Sequence, residues 1–261
     1  MKRKTGRIMR EHFHRVAGVY RGIRVTDPEP VEEIKRHVHI KKGRGMDLGC
    51  GTGRYSEKVL EALKPGLFIC ADLNQSMLTQ ARKALQGGRN FKPPVFLLSN
   101  ARKLPIENGS LDFITTFNAV HHFKVARFLK EAARILKPGG WLFVYTRTPR
   151  QNRDSIWGKF FPQFCTKEKR LWPLFKMRRQ IRKTPGLKFV GAKQYVFGRA
   201  TGWKELRKFA VKKSYSTFSL YRKKEFVAAL RKFKQKLQMR FSDLNRLHYT
   251  AENILYLVRK T

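Results

Sequence analysis

Cysteine is scarce in this chain. Three occur among 261 residues, Cys50, Cys70 and Cys165, with no close pair at the spacing of a metal knuckle or a redox motif. They read as reduced thiols of a cytoplasmic protein, and no metal is expected. Long apolar runs are missing too. None approaches the roughly 20 residues that cross a bilayer, and no apolar stretch of a secretory signal follows the basic opening Met1-Lys2-Arg3-Lys4. Internal repeats and low-complexity tracts are absent. Acidic residues are the third shortage: 18 Asp and Glu stand against 58 Lys and Arg, a net charge of +40. Residues 147–261 hold 31 of the basic and 6 of the acidic residues, +25. Such a field attracts polyanions, either RNA or an anionic membrane surface. A solvated basic surface is the plain alternative. The 41% of hydrophobic residues suffices for a packed core, and the length suits one elaborated α/β domain or two small ones.

What is present is an alternation. Residues 5–25 have helical spacing, with Ile8, Phe13, Val16, Ala17 and Tyr20 as the apolar positions. A short helix is predicted from Val31 towards His39, after Pro28-Glu29-Pro30. From Arg44 the pattern is that of a parallel sheet. Strands are expected to end at Met46-Asp47-Leu48 and to span Leu67–Ala71, Val95–Leu98, Leu111–Phe117 and Trp141–Tyr145. Helices are expected over Tyr55–Leu63, Ser76–Leu85 and Phe123–Leu136, with a turn at Lys137-Pro138-Gly139-Gly140. Beyond that, 150–183 reads as partly helical, Leu187–Phe197 as a strand, 202–241 as one or two helices and Asn253–Val258 as a closing strand. Residues 225–241 put Phe226, Leu230, Phe233, Leu237 and Phe241 on one face with cations opposite. That face serves either ordinary packing or a membrane surface.

The chemistry gathers at Asp47-Leu48-Gly49-Cys50-Gly51-Thr52-Gly53, between a strand and a helix. Glycines allow a tight turn and let a ligand lie against the main chain. The spacing is not the G-x-G-x-x-G that brings a pyrophosphate to a helix N-terminus. Asp72 ends the second strand, where Rossmann-like folds place an acid to accept from ribose hydroxyls; capping the helix near Ser76 is its other possible task. Asn100-Ala101 opens a polar loop after the third strand. Asn118-Ala119-Val120-His121-His122 follows the fourth.

These segments, DLGCGTGRY, ADLNQSML, NARKLPIENGSLDF, NAVHHF and ILKPGGWLFVY in that order, resemble the class I S-adenosylmethionine (SAM) dependent methyltransferases of the "type 11" group over about residues 44–146. Phe13-x-x-x-Ala17-x-x-Tyr20 is similar to the helix that lies over the cofactor in quinone-biosynthesis members. The resemblance implies a Rossmann-like α/β fold: a seven-stranded, mostly parallel sheet with its last strand antiparallel. An N-terminal helical lid (1–43), a SAM-binding core (44–146) and a basic part (147–261) would compose it. The basic part would complete the sheet, insert helices between the last two strands and form the acceptor site. The resemblance also implies that Gly49, Gly51 and Gly53 lie under the methionine part of SAM and that Asp47 anchors the loop and the amino group. Asp72 would bind the ribose, Met77 pack on the adenine, Asn100 and Ala101 receive it, Asn118 line the floor near the sulfonium, and Tyr20 cover the cofactor. Asn100 stands where the family usually has Asp; its amide oxygen can still accept.

Methyl transfer needs mainly alignment, because SAM brings its own leaving group. His121 and His122 are the candidate bases where the acceptor carries a proton. No Asn/Asp-Pro-Pro-Tyr occupies 118–121, against the exocyclic-amine nucleic-acid enzymes that use it. Two segments could build the acceptor site. Arg150, Arg153 and Lys159 interleave with Trp157, Phe160, Phe161 and Phe164, and Tyr215–Tyr221 adds rings and hydroxyls. Stacked RNA bases, a lid over a small quinone-like or lipid-like metabolite, and core packing all fit. A nucleic-acid-binding protein that has lost catalysis is a further alternative, opposed by the intact loop and Asp72.

Overall fold

In the computed structural model, which describes residues 2–39, 42–87 and 90–261, the alternation seen from Arg44 becomes strand and helix in turn. Helices α1 (Lys2–Ile23) and α2 (Glu29–Lys35) come first. Then follow β1 (Arg44–Leu48), α3 (Arg54–Leu63), β2 (Leu67–Asp72), α4 (Gln75–Leu85) and β3 (Val95–Leu98). β4 (Leu111–Phe117) leads through a 3-10 turn (Val120–His122) into α5 (Val125–Ile135) and β5 (Leu136–Thr146). Four short helices come next: α6 (Pro149–Asp154), α7 (Ile156–Phe160), α8 (Phe164–Lys167) and α9 (Leu174–Arg182). The chain closes with β6 (Leu187–Thr201), α10 (Trp203–Val211), a second 3-10 turn (Ser216–Leu220), α11 (Lys223–Arg240) and β7 (Leu247–Lys260).

The seven strands lie in the order β3-β2-β1-β4-β5-β7-β6. β1 pairs in parallel with both β2 and β4, as do β2 with β3 and β4 with β5. β7 runs antiparallel to β5, from Trp141 opposite Arg259 to Thr146 opposite Ile254. This is the Rossmann-like sheet with an antiparallel last strand that the resemblance implies. β4 is buried along its whole length, as a strand covered on both faces must be, and its run of Leu, Phe, Ile and Thr suits that place. α5 shows how a helix covers it: Val125, Phe128, Leu129, Ala132 and Ala133 are buried at intervals of three and four.

Some boundaries differ from the expected ones. α2 stops at Lys35 rather than near His39. The Lys137–Gly140 turn is drawn into β5, whose register against β4 shifts between Leu111 and Phe113. β6 and β7 are longer than expected, at 15 and 14 residues.

The chain forms two compact units. The sheet unit comprises Val25–Thr146, Leu174–Lys193 and Ile254–Thr261. The helical unit comprises the chain up to Arg24 with Arg147–Pro173 and Gln194–Asn253. The basic part 147–261 is therefore divided between them, and α9 belongs to the sheet unit. The helical unit has its own core, in which α7, α8, α10 and α11 bury Ile156, Trp157, Phe161, Phe164, Leu206, Phe233 and Leu237. Phe226, Leu230 and Phe241 of α11 pack against the same cluster. The apolar face of α11 is thus filled by its own unit. No described helix is long and apolar enough to cross a membrane.

Candidate active site

β1 ends at Leu48, and the turn beyond it passes through three left-handed glycines: Gly49 (φ +76°), Gly51 (φ +56°) and Gly53 (φ +75°). A residue with a side chain pays roughly 1–2 kcal/mol for such a backbone. The amides of Gly49 and Cys50 both donate to the Ala71 carbonyl, at 2.7 and 3.0 Å, and pin the turn to β2. The glycines serve different ends. A Cβ at Gly49 would stand 2.5 Å from that of Ala119, and one at Gly53 2.8 Å from Cδ1 of Leu85. A Cβ at Gly51 would meet nothing within 4 Å. Close packing requires the outer two, and the middle one leaves bare main chain facing open space.

Asp72 closes on that space. Its Oδ2 accepts from the Gly51 amide at 2.8 Å and its Oδ1 from the Asn74 amide at 2.9 Å. Asn74 rather than Asp72 caps α4, its Oδ1 accepting from Met77 N at 3.1 Å. Burial raises the Asp72 carboxyl above the ordinary range, against the pull of the Asn74, Gly51 and Leu73 amides. The residue is nonetheless half-buried, and a carboxylate with its partners on one side can still accept from hydroxyls on the other.

Asp47 lies deeper and is 1% exposed. Ser56 Oγ donates to its Oδ2 at 2.6 Å and Thr115 Oγ1 to its Oδ1 at 3.2 Å. Burial pushes its carboxyl up to about 7 despite both hydroxyls. Asp47 so braces the loop to α3 and β4. Sequence reasoning did not single out Ser56 or Thr115. Neither sits in a recognisable motif, and their partner is 9 and 68 residues away.

Asn100 stands just after β3, with its Oδ1 accepting from the Arg102 amide and Nε at 3.1 and 3.2 Å. Ala101 and Met77 are buried. Asn118 follows β4 in a left-handed conformation (φ +54°), and its amide donates to the Tyr145 carbonyl at 2.7 Å. His121 and His122 occupy the 3-10 turn, both half-buried, with ring centres 4.1 Å apart. β1 to β4 are parallel, so Asp47, Gly49, Gly51, Gly53, Asp72, Asn100, Ala101, Asn118, His121 and His122 stand along one edge of the sheet, with Met77 on α4. That edge holds the carboxyl ends of the strands, where the chain switches from the β1–β2 side to β4. Open α/β sheets take ligands there. Tyr20 belongs to the helical unit, edge-on to Phe13 at 6.3 Å. Among the described residues no group of three His, Cys, Asp or Glu is placed to hold a metal.

The aromatic segments turn out differently from a base-stacking platform. Trp157, Phe161, Phe164 and Phe218 are each at most 4% exposed, with Trp157 5.1 Å from Phe233 and 5.2 Å from Phe218, centre to centre. They are core. Arg150 and Arg153 stay at the surface, 3.8 and 3.6 Å from Asp154.

Residues 46–144 match the family model described as a methyltransferase domain. The match is confined to that segment, which carries the glycine loop, Asp72 and Asn118. It is 32% identical over 124 residues to the phthiotriol/phenolphthiotriol dimycocerosates methyltransferase 1 of Mycobacterium ulcerans, covering 46% of this chain and 43% of that one. The chain spans about half the length of the curated relatives it matches. Among solved structures, the chain is similar to the complex between the Haloferax volcanii Trm112 methyltransferase activator and a methyltransferase. The TM-score is 0.62 at 16% identity, over 97% of this chain and 96% of the other. It is similar as well to Haemonchus contortus phosphoethanolamine N-methyltransferase 2, solved with S-adenosylhomocysteine. That match has a TM-score of 0.53 at 18% identity, over 89% and 52% of the two chains. At such identities the likeness is one of fold.

Proposed function

We propose that this methyltransferase holds SAM on the glycine loop and transfers its methyl group to a small-molecule acceptor. The observation that carries the cofactor half is the pairing of the half-buried Asp72 carboxylate with Gly51, whose missing side chain leaves open space beside it. In this reading Gly49, Gly51 and Gly53 lie under the methionine part and Asp47 keeps the loop in shape. Asp72 accepts from the ribose hydroxyls, Met77 and Ala101 bound the adenine, Asn100 meets its edge and Asn118 lies near the sulfonium. SAM bound there supplies a methyl group on a ready leaving group. The work left to the chain is to align the acceptor and exclude water, with His121 or His122 accepting the proton of an acceptor that carries one.

Two observations favour a small molecule. The rings that would have stacked RNA bases are buried in the helical core. The Mycobacterium ulcerans relative is named for phthiotriol and phenolphthiotriol dimycocerosates, which are not nucleic acids. RNA is the second reading, supported by the +25 of residues 147–261. Incubation with methyl-labelled SAM and fractionated cell extract tests both. Label in the small-molecule or lipid fraction is expected. Label in RNA would exchange the acceptor, and label in no fraction would count against methyl transfer itself.

A further inference from the structure

α9, which belongs to the sheet unit, divides its apolar residues. Met177 and Ile181 are buried. Leu174 and Phe175 stand outside, Phe175 at 72% exposure. A single exposed ring is ordinary on a protein surface, but this one has a particular setting. Residues 174–188 hold six cations and no acid. Leu174, Phe175, Arg178, Arg179, Arg182 and Lys183 together line a groove of about 630 Å³. At four-residue steps they make two rows along the helix, Leu174-Arg178-Arg182 and Phe175-Arg179-Lys183. Each row begins with an apolar side chain and continues with two cations, at steps of about 6 Å. Arg178 is steadied over the ring of Phe189 in β6, its guanidinium carbon 5.4 Å from the ring centre.

We propose that this face of α9 docks on an anionic membrane surface, with Leu174 and Phe175 entering the acyl boundary and Arg178, Arg179, Arg182 and Lys183 meeting lipid phosphates. A groove apolar at one end and cationic along the rest matches the polarity of an anionic phospholipid. Interfacial segments bury their apolar side chains roughly 5–10 Å into the head-group boundary, and one helical step separates the apolar pair from the first two arginines. The negative potential of anionic lipids draws cations that lie within a Debye length, about 8 Å at physiological salt. The guanidinium fork matches two phosphate oxygens. RNA would engage the same cations, but Leu174 presents no ring on which a base could stack, and the apolar pair would gain little. The charge sets the sign of the partner, and the apolar pair makes it a lipid. Vesicle binding requires neither SAM nor an acceptor, so its failure would leave the methyl-transfer reading standing.

The test is flotation of the full chain with phosphatidylcholine vesicles, with and without phosphatidylglycerol, at physiological salt. Binding to the mixed vesicles and not to the neutral ones is expected. Phe175→Ala should weaken it roughly tenfold, because the ring no longer leaves water, and a thermal melt should match wild type, because the ring is exposed in the fold. Arg178→Gln with Arg179→Gln should weaken binding roughly fivefold per charge. Arg231→Gln with Lys232→Gln, an equal charge change at exposed positions of α11, should alter it less than about twofold. Phe175→Trp gives a second reading, since brominated acyl chains should quench its fluorescence beyond that of wild type. A chain of +40 that merely adheres by charge would lose equally from either cation pair and nothing from Phe175→Ala, and that result would overturn the proposal. So would a wild type that binds single-stranded RNA through the α9 arginines and binds no vesicle.

Discussion

Replacing Asp47 by asparagine should change how stability follows pH. In the fold the carboxyl sits at about 7, raised by burial against the hydroxyls of Ser56 and Thr115; in the unfolded chain it returns to about 3.9. Between those values the folded state holds a proton that the unfolded state has released. The free energy of unfolding therefore falls as pH rises from about 4 to about 7. At about 1.4 kcal/mol per unit, ionised Asp47 costs on the order of 4 kcal/mol above that window. His12 works in the opposite sense. Burial, with the charges of Arg15, Arg170, Lys213 and Arg24, holds its imidazole down to about 4. The unfolded chain binds the extra proton up to about 6.5, and stability rises through nearly the same window by on the order of 3 kcal/mol. The two contributions oppose each other in the wild type, and the difference from Asp47→Asn isolates the carboxyl. Urea unfolding of both proteins at about pH 4 and about pH 8 should show the variant gaining a few kcal/mol relative to wild type at the higher pH. A difference independent of pH would refute the assignment of a buried, proton-holding Asp47.

Trp157→Ala should lower stability by about 3–5 kcal/mol, since the ring fills the helical core; an unchanged urea midpoint would put that ring at the surface. Gly51→Ala should lower the thermal midpoint by only a few degrees, the cost of a side chain on its left-handed backbone (φ +56°), since its Cβ meets open space, yet weaken SAM binding by calorimetry. Gly49→Ala should instead destabilise the fold, through contact with Ala119. His121→Gln and His122→Gln, measured singly against any acceptor found, should between them include one loss of roughly 10²–10⁴ in turnover at unchanged SAM affinity. Full activity in both would leave alignment as the whole of catalysis.

The sheet was legible because its signals are local. Short apolar runs separated by glycine turns and amphipathic helices announce β1 to β5, and the loop at 47–53 with Asp72 marks the edge that would hold a ligand. The stretch 150–164 was not legible. Cations alternating with rings describe both a stacking platform and a set of short helices that turn Trp157, Phe161 and Phe164 inward, and only the partner face of α11 decides between them. The same face, read alone, favoured packing within its own domain but also fitted a membrane surface. Contacts between distant residues left no trace at all. Thr115 on Asp47, and Arg24 and Arg147 over Tyr215, depend on how the chain returns to itself, which no spacing encodes.

The most direct test is calorimetric titration of SAM and S-adenosylhomocysteine into wild type and Asp72→Asn. Asparagine keeps the shape and one acceptor for the Gly51 amide, so the fold should persist, as a thermal melt would verify. The two ligands share the ribose, and each hydrogen bond to a charged carboxylate contributes about 1.5–3 kcal/mol. Both should therefore bind wild type and lose at least about tenfold in affinity to the variant, by similar factors. Equal affinity in the two proteins would remove Asp72 from the site, and a folded wild type that binds neither ligand would contradict a SAM site on the glycine loop.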